Sequence, residues 1–429
     1  MASGLLRSSA IYGVANALSA GVPFLLLPIL TRALAPSEYG VVVSFFLVVS
    51  LSTSLAGLNV HSAVSVKWFD RTGQDFPRYV GSALALALLS TALCAGLLLG
   101  AGLLWHERLG LNVWLWPLAA LMCGTTVVSG LRTTLWQSQQ KALPSALLQV
   151  GTAVLNMTLS LLAVLALAMG AEGRIGAALC AGLLAAGLAV WLLMRVGDAA
   201  WSFSGADLRK LLRFGVPLVP HALAGAVLAS ADRFAVSTQL GAEALGVYGA
   251  AAQIGMTMNV LGDALVKAFS PWMYAQMSAR SGAGRLKVVG ATYLLIPVWL
   301  FLALALWLLF TLIGPLILGP RYQGAIGLSL WFLLGGAMSV VYLNIAGLFF
   351  FTSRNEWLSL ASVTAAIVAA VLAPMLVSHF GLVGAATAYL CAQTLLLVLS
   401  WLLSTKVQPM PWHRPLLALR VLRRSGGMR

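Results

Sequence analysis

Six ionisable side chains lie inside or at the edge of long apolar stretches of this chain. Charge is costly within a membrane span, so each is a candidate for function. Asp232 and Arg233 are neighbours in the apolar run 216–239, roughly 25 Å from its start at helical rise. Adjacent helical residues point about 100° apart and need not pair with one another. Arg233 either faces a cavity, where it would bind phosphate or an acidic sugar, or snorkels to the outer interface. Asp232 either accepts a coupling proton, holds the network around Arg233, or satisfies a neighbouring helix. Arg132, in the run 114–136, either lines the inward mouth of a cavity or snorkels. Asp263 and Lys267, four residues apart, either form an intrahelical pair or serve as a coupling carboxylate and a cation for the substrate. Arg32 is an interfacial anchor, or a phosphate receiver at an exit.

Other chemistries find no support. There is no G-x-x-x-x-G-K-[ST] loop for a nucleotide. The five histidines are scattered, and Cys94, Cys123, Cys180 and Cys391 all fall in apolar runs without metal-type spacing. They read as small packing residues, and no metal or cofactor is expected. Pro23, Pro28, Pro217 and Pro220 each remove a helical hydrogen bond where they fall inside a helix. Bends there would suit gating or be fixed kinks. Asn16, Asn59, Asn156, Gln253 and Asn259 are polar points for sugar hydroxyls or for interhelical hydrogen bonds. Ser37 is placed to cap a helix, with Glu38 and Tyr39 at its entry.

The elements that must position these residues are membrane helices. Of 429 residues, 60% are hydrophobic and 9% charged, and the mean hydropathy is +0.94. A soluble domain carries about 25% charged residues. Twelve spans are predicted near 9–31, 40–63, 80–104, 114–136, 145–169, 175–195, 216–239, 246–268, 290–312, 326–351, 357–378 and 382–404. The first reads as a retained span, since it runs on past the length of a signal-peptide core. The net charge of +15 does not indicate nucleic acid, because the cations sit in short links and in the tail. Arg7, Lys67, Arg71, Arg78, Lys141, Arg195 to Arg213, Lys267 to Lys287, Arg354 and the tail with Arg424 and Arg429 fall on one side. The alternate links hold only Arg32, Arg108, Arg174 and Arg321. Positive charge stays inside, which puts both termini in the cytoplasm. The basic tail from Pro411 either lies on the anionic inner leaflet or serves only as an orientation signal.

The two halves repeat. Leu34-Ala-Pro-Ser-Glu-Tyr-Gly40 is matched by Leu240-Gly-Ala-Glu-Ala-Leu-Gly246, and Gly173-Arg-Ile-Gly-Ala-Ala178 by Gly381-Leu-Val-Gly-Ala-Ala386, at offsets of 206 and 208 residues. Six spans per half make the repeat parallel, about an axis along the membrane normal. The expected organisation is an N-terminal six-helix bundle (1–195), a cytoplasmic linker (196–214), a C-terminal six-helix bundle (215–404) and a basic tail (405–429). A cavity between the bundles and a rocking motion follow from that plan.

Leu27-Leu-Pro-Ile-Leu-Thr-Arg32 running into Leu34–Gly40, Phe214-Gly-Val-Pro217, Asp232-Arg233, Leu240-Gly241 and Gly246-Val-Tyr248 resemble the polysaccharide-exporter family of O-antigen and capsule flippases. That family shares a superfamily with multidrug antiporters and the lipid II flippase. The resemblance implies a V-shaped, all-α membrane protein with a central cavity. It implies an undecaprenyl-pyrophosphate-linked oligosaccharide as substrate, for O-antigen, lipopolysaccharide, capsule or exopolysaccharide assembly in the bacterial inner membrane. Membrane lipids, and the pathway's glycan polymerase and chain-length proteins, are the expected partners. An ion-coupled drug or metabolite antiporter is the alternative on the same fold. The short outward links leave no room for an enzyme's catalytic loop.

Overall fold

The computed structural model describes residues 2–70, 75–279 and 281–426, with side chains from 11 to 423. Arg71, Arg280 and Arg429 lie outside the described residues, as do the side chains of Arg7 and Arg424. The described chain is almost wholly helical. Its helices are α1 Ala2–Ala33, α2 Pro36–Gly57, α3 Val60–Phe69, α4 Asp75–Leu109, α5 Leu115–Ser138, α6 Ala142–Leu161, α7 Gly170–Arg195, α8 Gly205–Gly215, α9 Val219–Ser278, α10 Gly282–Ile317, α11 Gly324–Thr352, α12 Asn355–Val407 and α13 Pro415–Gly426.

Among the described residues, ten helical stretches are long and apolar enough to cross a membrane. Two are far too long for one crossing: α12 has 53 residues, and the stretch containing α9 has 74. A span needs only about 20 residues. Each long helix is broken by one glycine in a conformation closed to other residues, Gly241 (φ 82°) in α9 and Gly381 (φ 57°) in α12. Only glycine takes these angles without strain. Both breaks fall between predicted spans, so twelve crossings result.

Three local features differ from the expected spans. The second span ends at Gly57, because Leu58 and Asn59 adopt left-handed angles (φ 42° and 50°) and α3 starts afresh. The linker contains the helix α8. Ser37 does not cap α2: the helix begins at Pro36, and the Glu38 carboxylate instead accepts from the Ala35 N–H at 2.9 Å. Pro23 and Pro28 lie within α1 as expected. Pro217 belongs instead to the short 3-10 turn Val216–Leu218, and Pro220 to the first turn of α9. A missing N–H is tolerated at a helix start.

By internal contacts the chain forms two compact units, Met1–Ala226 with Ser237–Gly249, and Val227–Val236 with Ala250–Arg429. In the first, Val64, Val80, Ala83, Leu131, Leu135, Ala189, Leu193 and Leu211 are fully buried together between α3, α4, α5, α7 and α8. In the second, Met258, Ala303, Leu333, Ala337, Val340 and Phe349 form the centre of the core.

Glycines set the closest approaches. Within the first unit, a Cβ on Gly40 would lie 1.8 Å from the Ala242 carbonyl oxygen, and one on Gly246 would lie 1.9 Å from that of Pro36. Residues 36 and 40 match 242 and 246 in the sequence repeat. The contact is therefore reciprocal, as a local two-fold requires. A second repeated pair lies on the third span of each half, in Arg78-Tyr-Val-Gly-Ser82 and Lys287-Val-Val-Gly-Ala291. Gly81 receives the Ala200 carbonyl of the segment that follows α7, and Gly290 receives the Ala418 carbonyl of α13. In each half the chain leaving the sixth span folds back over the same glycine.

Gly40→Ala and Gly246→Ala should each lower stability by roughly 2–3 kcal/mol, the cost of forcing atoms into a filled site. Gly21→Ala, which meets open space, should leave the melting temperature in detergent unchanged or slightly raised.

Candidate functional site

The first unit carries an open cavity of about 400 Å³ between α1, α5, α6 and α7. Its shape follows from residue size. Ala178, Ala181 and Gly182 form the α7 wall, and a Cβ on Gly182 would meet the Thr125 hydroxyl at 2.6 Å. The α5 wall carries Thr126, Ser129, Thr133 and Gln137, spaced by three or four residues and so on one helix face. Gln149, Thr152 and Asn156 do the same on α6, and Asn16 comes from α1. The lining contains no Asp, Glu, Lys or Arg.

The polar groups present a defined pattern. A hydroxyl has one hydrogen to donate and two lone pairs. Thr126 donates to Met122 O at 3.0 Å, Ser129 to Thr125 O at 2.7 Å, Thr133 to Ser129 O at 3.1 Å and Thr152 to Leu148 O at 2.7 Å. Each donor is used within its own helix, as membrane burial favours. The oxygens are left as acceptors. The amides are oriented the other way. Gln149 Nε2 donates to Asn16 Oδ1 at 2.9 Å, and Arg174 Nη1 donates to Asn156 Oδ1 at 3.1 Å. The NH₂ groups of Asn16 and Asn156 remain as donors. A ligand with many hydroxyls, each both donor and acceptor, matches such a wall.

Arg174 holds this arrangement from behind. It is buried, lies 5.5 Å from the Phe46 ring, and its Nε has no hydrogen-bond partner. Among the described residues no carboxylate lies within ion-pair distance of it.

None of the six charged candidates lines this cavity. Arg132 neither reaches the inward mouth nor snorkels. It is 1% exposed, forms an ion pair with Asp198, and stacks 4.2 Å over Trp136. Gln139 Nε2 donates to the second oxygen of Asp198 at 3.2 Å. Asp263 and Lys267 form their intrahelical pair at the surface. Arg32 is exposed and donates to Pro28 O at 3.3 Å. In the second unit Asp232 is buried and Arg233 half-buried, and both interact electrostatically with Tyr389 of α12. The Tyr389 ring lies 5.1 Å from Phe332 and covers Gly335. Of the polar span residues singled out from the sequence, Asn16 and Asn156 reach the cavity. Gln149, Arg174, Asp198 and the hydroxyl stripe of α5 were missed. The stripe's three-and-four spacing was the available signal.

The comparisons agree with this architecture. The family model for polysaccharide biosynthesis proteins matches residues 5–277. The chain belongs to that family. It is 25% identical to an Lsg-locus protein of Haemophilus influenzae over 374 residues, covering 85% of this chain and 89% of the relative. An inward-facing multidrug resistance MATE transporter of the MOP superfamily aligns with TM-score 0.66 at 16% identity, over 96% of both chains. An outward-facing one aligns with TM-score 0.62 at 17% identity, over 93% of this chain and 95% of that one. The fold is that of these solved transporters, and the described helices are those of a multi-pass membrane protein.

Breaking the buried ion pair should cost more than removing it. Arg132→Ala, which leaves Asp198 without its cation, should destabilise the protein by roughly 3–5 kcal/mol. The double variant Arg132→Met/Asp198→Ala should recover part of that loss in a thermal melt.

Proposed function

We propose that this transporter moves an undecaprenyl-pyrophosphate-linked oligosaccharide from the inner to the outer leaflet of the bacterial cytoplasmic membrane, with both termini on the cytoplasmic side. The observation that carries the proposal is the lining of the cavity. It offers hydroxyl oxygens on α5 and amide donors from α1 and α6, and no charge. Sugar hydroxyls pair with such a surface as both donors and acceptors. An extruder of cationic drugs needs acidic groups, and the lining has none. Membership in a polysaccharide biosynthesis family supports the same substrate class.

In this reading the cavity holds a sugar during alternating access. Asn16, Gln149, Asn156 and Thr133 contact it, and Arg174 orients Asn156. Arg233, next to the buried Asp232 and Tyr389, is the cation for the substrate's phosphates, with Asp232 as the coupling carboxylate. Arg32 receives phosphate at the exit, while Arg132 and Lys267, each already paired, have structural roles. The proline-bearing α1 and the start of α9 bend as the bundles rock.

Deleting the gene should make the complete lipid-linked repeat unit accumulate on the inner leaflet while surface glycan disappears. Restoring it with Asn16→Leu/Thr133→Val should leave folded protein in the membrane but recover less than about a tenth of the glycan, since each lost sugar hydrogen bond costs about 1 kcal/mol or more. Arg233→Ala should abolish export at normal protein level. Full surface glycan in that variant would remove Arg233 from the mechanism.

A further inference from the structure

A second concavity of about 410 Å³ lies beside the polar one, between α6 and α7. Its walls are apolar: Leu147, Leu155, Leu184, Leu188 and Leu192, with Trp136 at one end. Thr152 also lines it, but its hydroxyl already donates to Leu148 O. Leu147, Leu184 and Leu188 are well exposed, so the groove opens sideways, where hydrocarbon surrounds a membrane protein. Leu148 and Thr152 line both the groove and the polar cavity. The two are therefore neighbouring compartments of one bundle, sharing a stretch of α6.

We infer that the groove seats the first part of the substrate's polyprenyl chain while its sugar occupies the cavity. The inference rests on the sugar-cavity reading and extends it to the lipid end of the molecule. A soluble sugar would need only the polar compartment, and a bulk phospholipid only the apolar one. A sugar joined to a long hydrocarbon needs both, side by side, with the apolar one open to the membrane. The substrate then enters laterally through α6 and α7 without its chain leaving hydrocarbon. Because lipid is as apolar as the groove, the gain comes from packing against fixed side chains.

Gly151 allows a clean test. It lines the groove and not the cavity, and a side chain added there meets open space. A larger residue also favours the helix over glycine, so Gly151→Trp should fold normally and block only the groove. The probes are polyprenyl-diphosphate N-acetylglucosamine and the same sugar diphosphate with a methyl group in place of the chain. Both are titrated against purified protein in phosphatidylcholine nanodiscs. The wild type should bind the prenylated probe roughly tenfold more tightly, about 1.4 kcal/mol. Gly151→Trp should erase that preference and leave the methyl probe's affinity unchanged. If the wild type binds both probes equally, or if Gly151→Trp keeps the preference and merely retains less phosphatidylcholine, the groove is not the chain's seat and the sugar cavity stands alone. If the wild type binds neither probe, the sugar reading itself fails.

Discussion

A membrane interior supplies no water, so every polar group placed there must find its partner within the protein. That constraint explains the candidate site in detail. The threonines and the serine that line the cavity from α5 and α6 give their hydrogens to carbonyls of their own helices. What remains for a ligand is a row of oxygen lone pairs. The amides of Asn16 and Asn156 are tied by their oxygens, to Gln149 and Arg174, which leaves their NH₂ groups as donors. The same constraint puts Asp198 against Arg132, whose charge would otherwise be stranded among apolar side chains. The site's specificity thus grows out of the requirements of folding in lipid.

Glycine supplies the other half of the construction. Two glycines, Gly241 and Gly381, divide overlong helices into pairs of crossings. Gly40 and Gly246 admit each other's neighbouring carbonyls in a reciprocal contact, and Gly81 and Gly290 admit the returning chain after the sixth span of each half. These are the repeated positions at which a methyl group has no room. The repeat first visible as short matching loops is a pattern of backbone approaches.

How far the sequence was legible depends on what each signal measures. Long apolar runs broken by Gly, Pro or charge mark spans directly, and twelve crossings follow from them. The break at Leu58–Asn59 was hidden because left-handed angles at a leucine have no compositional signature. The helix α8 was hidden inside a polar link. Charge flagged Arg132, Asp263 and Lys267, yet these residues satisfy one another or Asp198, since a charge in a membrane protein more easily finds a counter-ion than a ligand. The cavity escaped notice because Ser and Thr are ordinary in membrane helices. Only their convergence with Asn16, Gln149 and Asn156 from other helices makes a site, and convergence is a tertiary property.

The central claim is that an uncharged, hydrogen-bonding cavity carries a glycan rather than a cation. The direct measurement is transport by purified protein in sealed vesicles. These hold a fluorescent undecaprenyl-pyrophosphate-linked oligosaccharide in both leaflets, and a membrane-impermeant lectin quenches whatever reaches the outer one. The account predicts that the inner-leaflet fraction becomes quenchable at a rate that depends on the protein, and that a lipophilic cationic dye in the same vesicles does not move. Protein-dependent movement of the dye with a static glycan would contradict it.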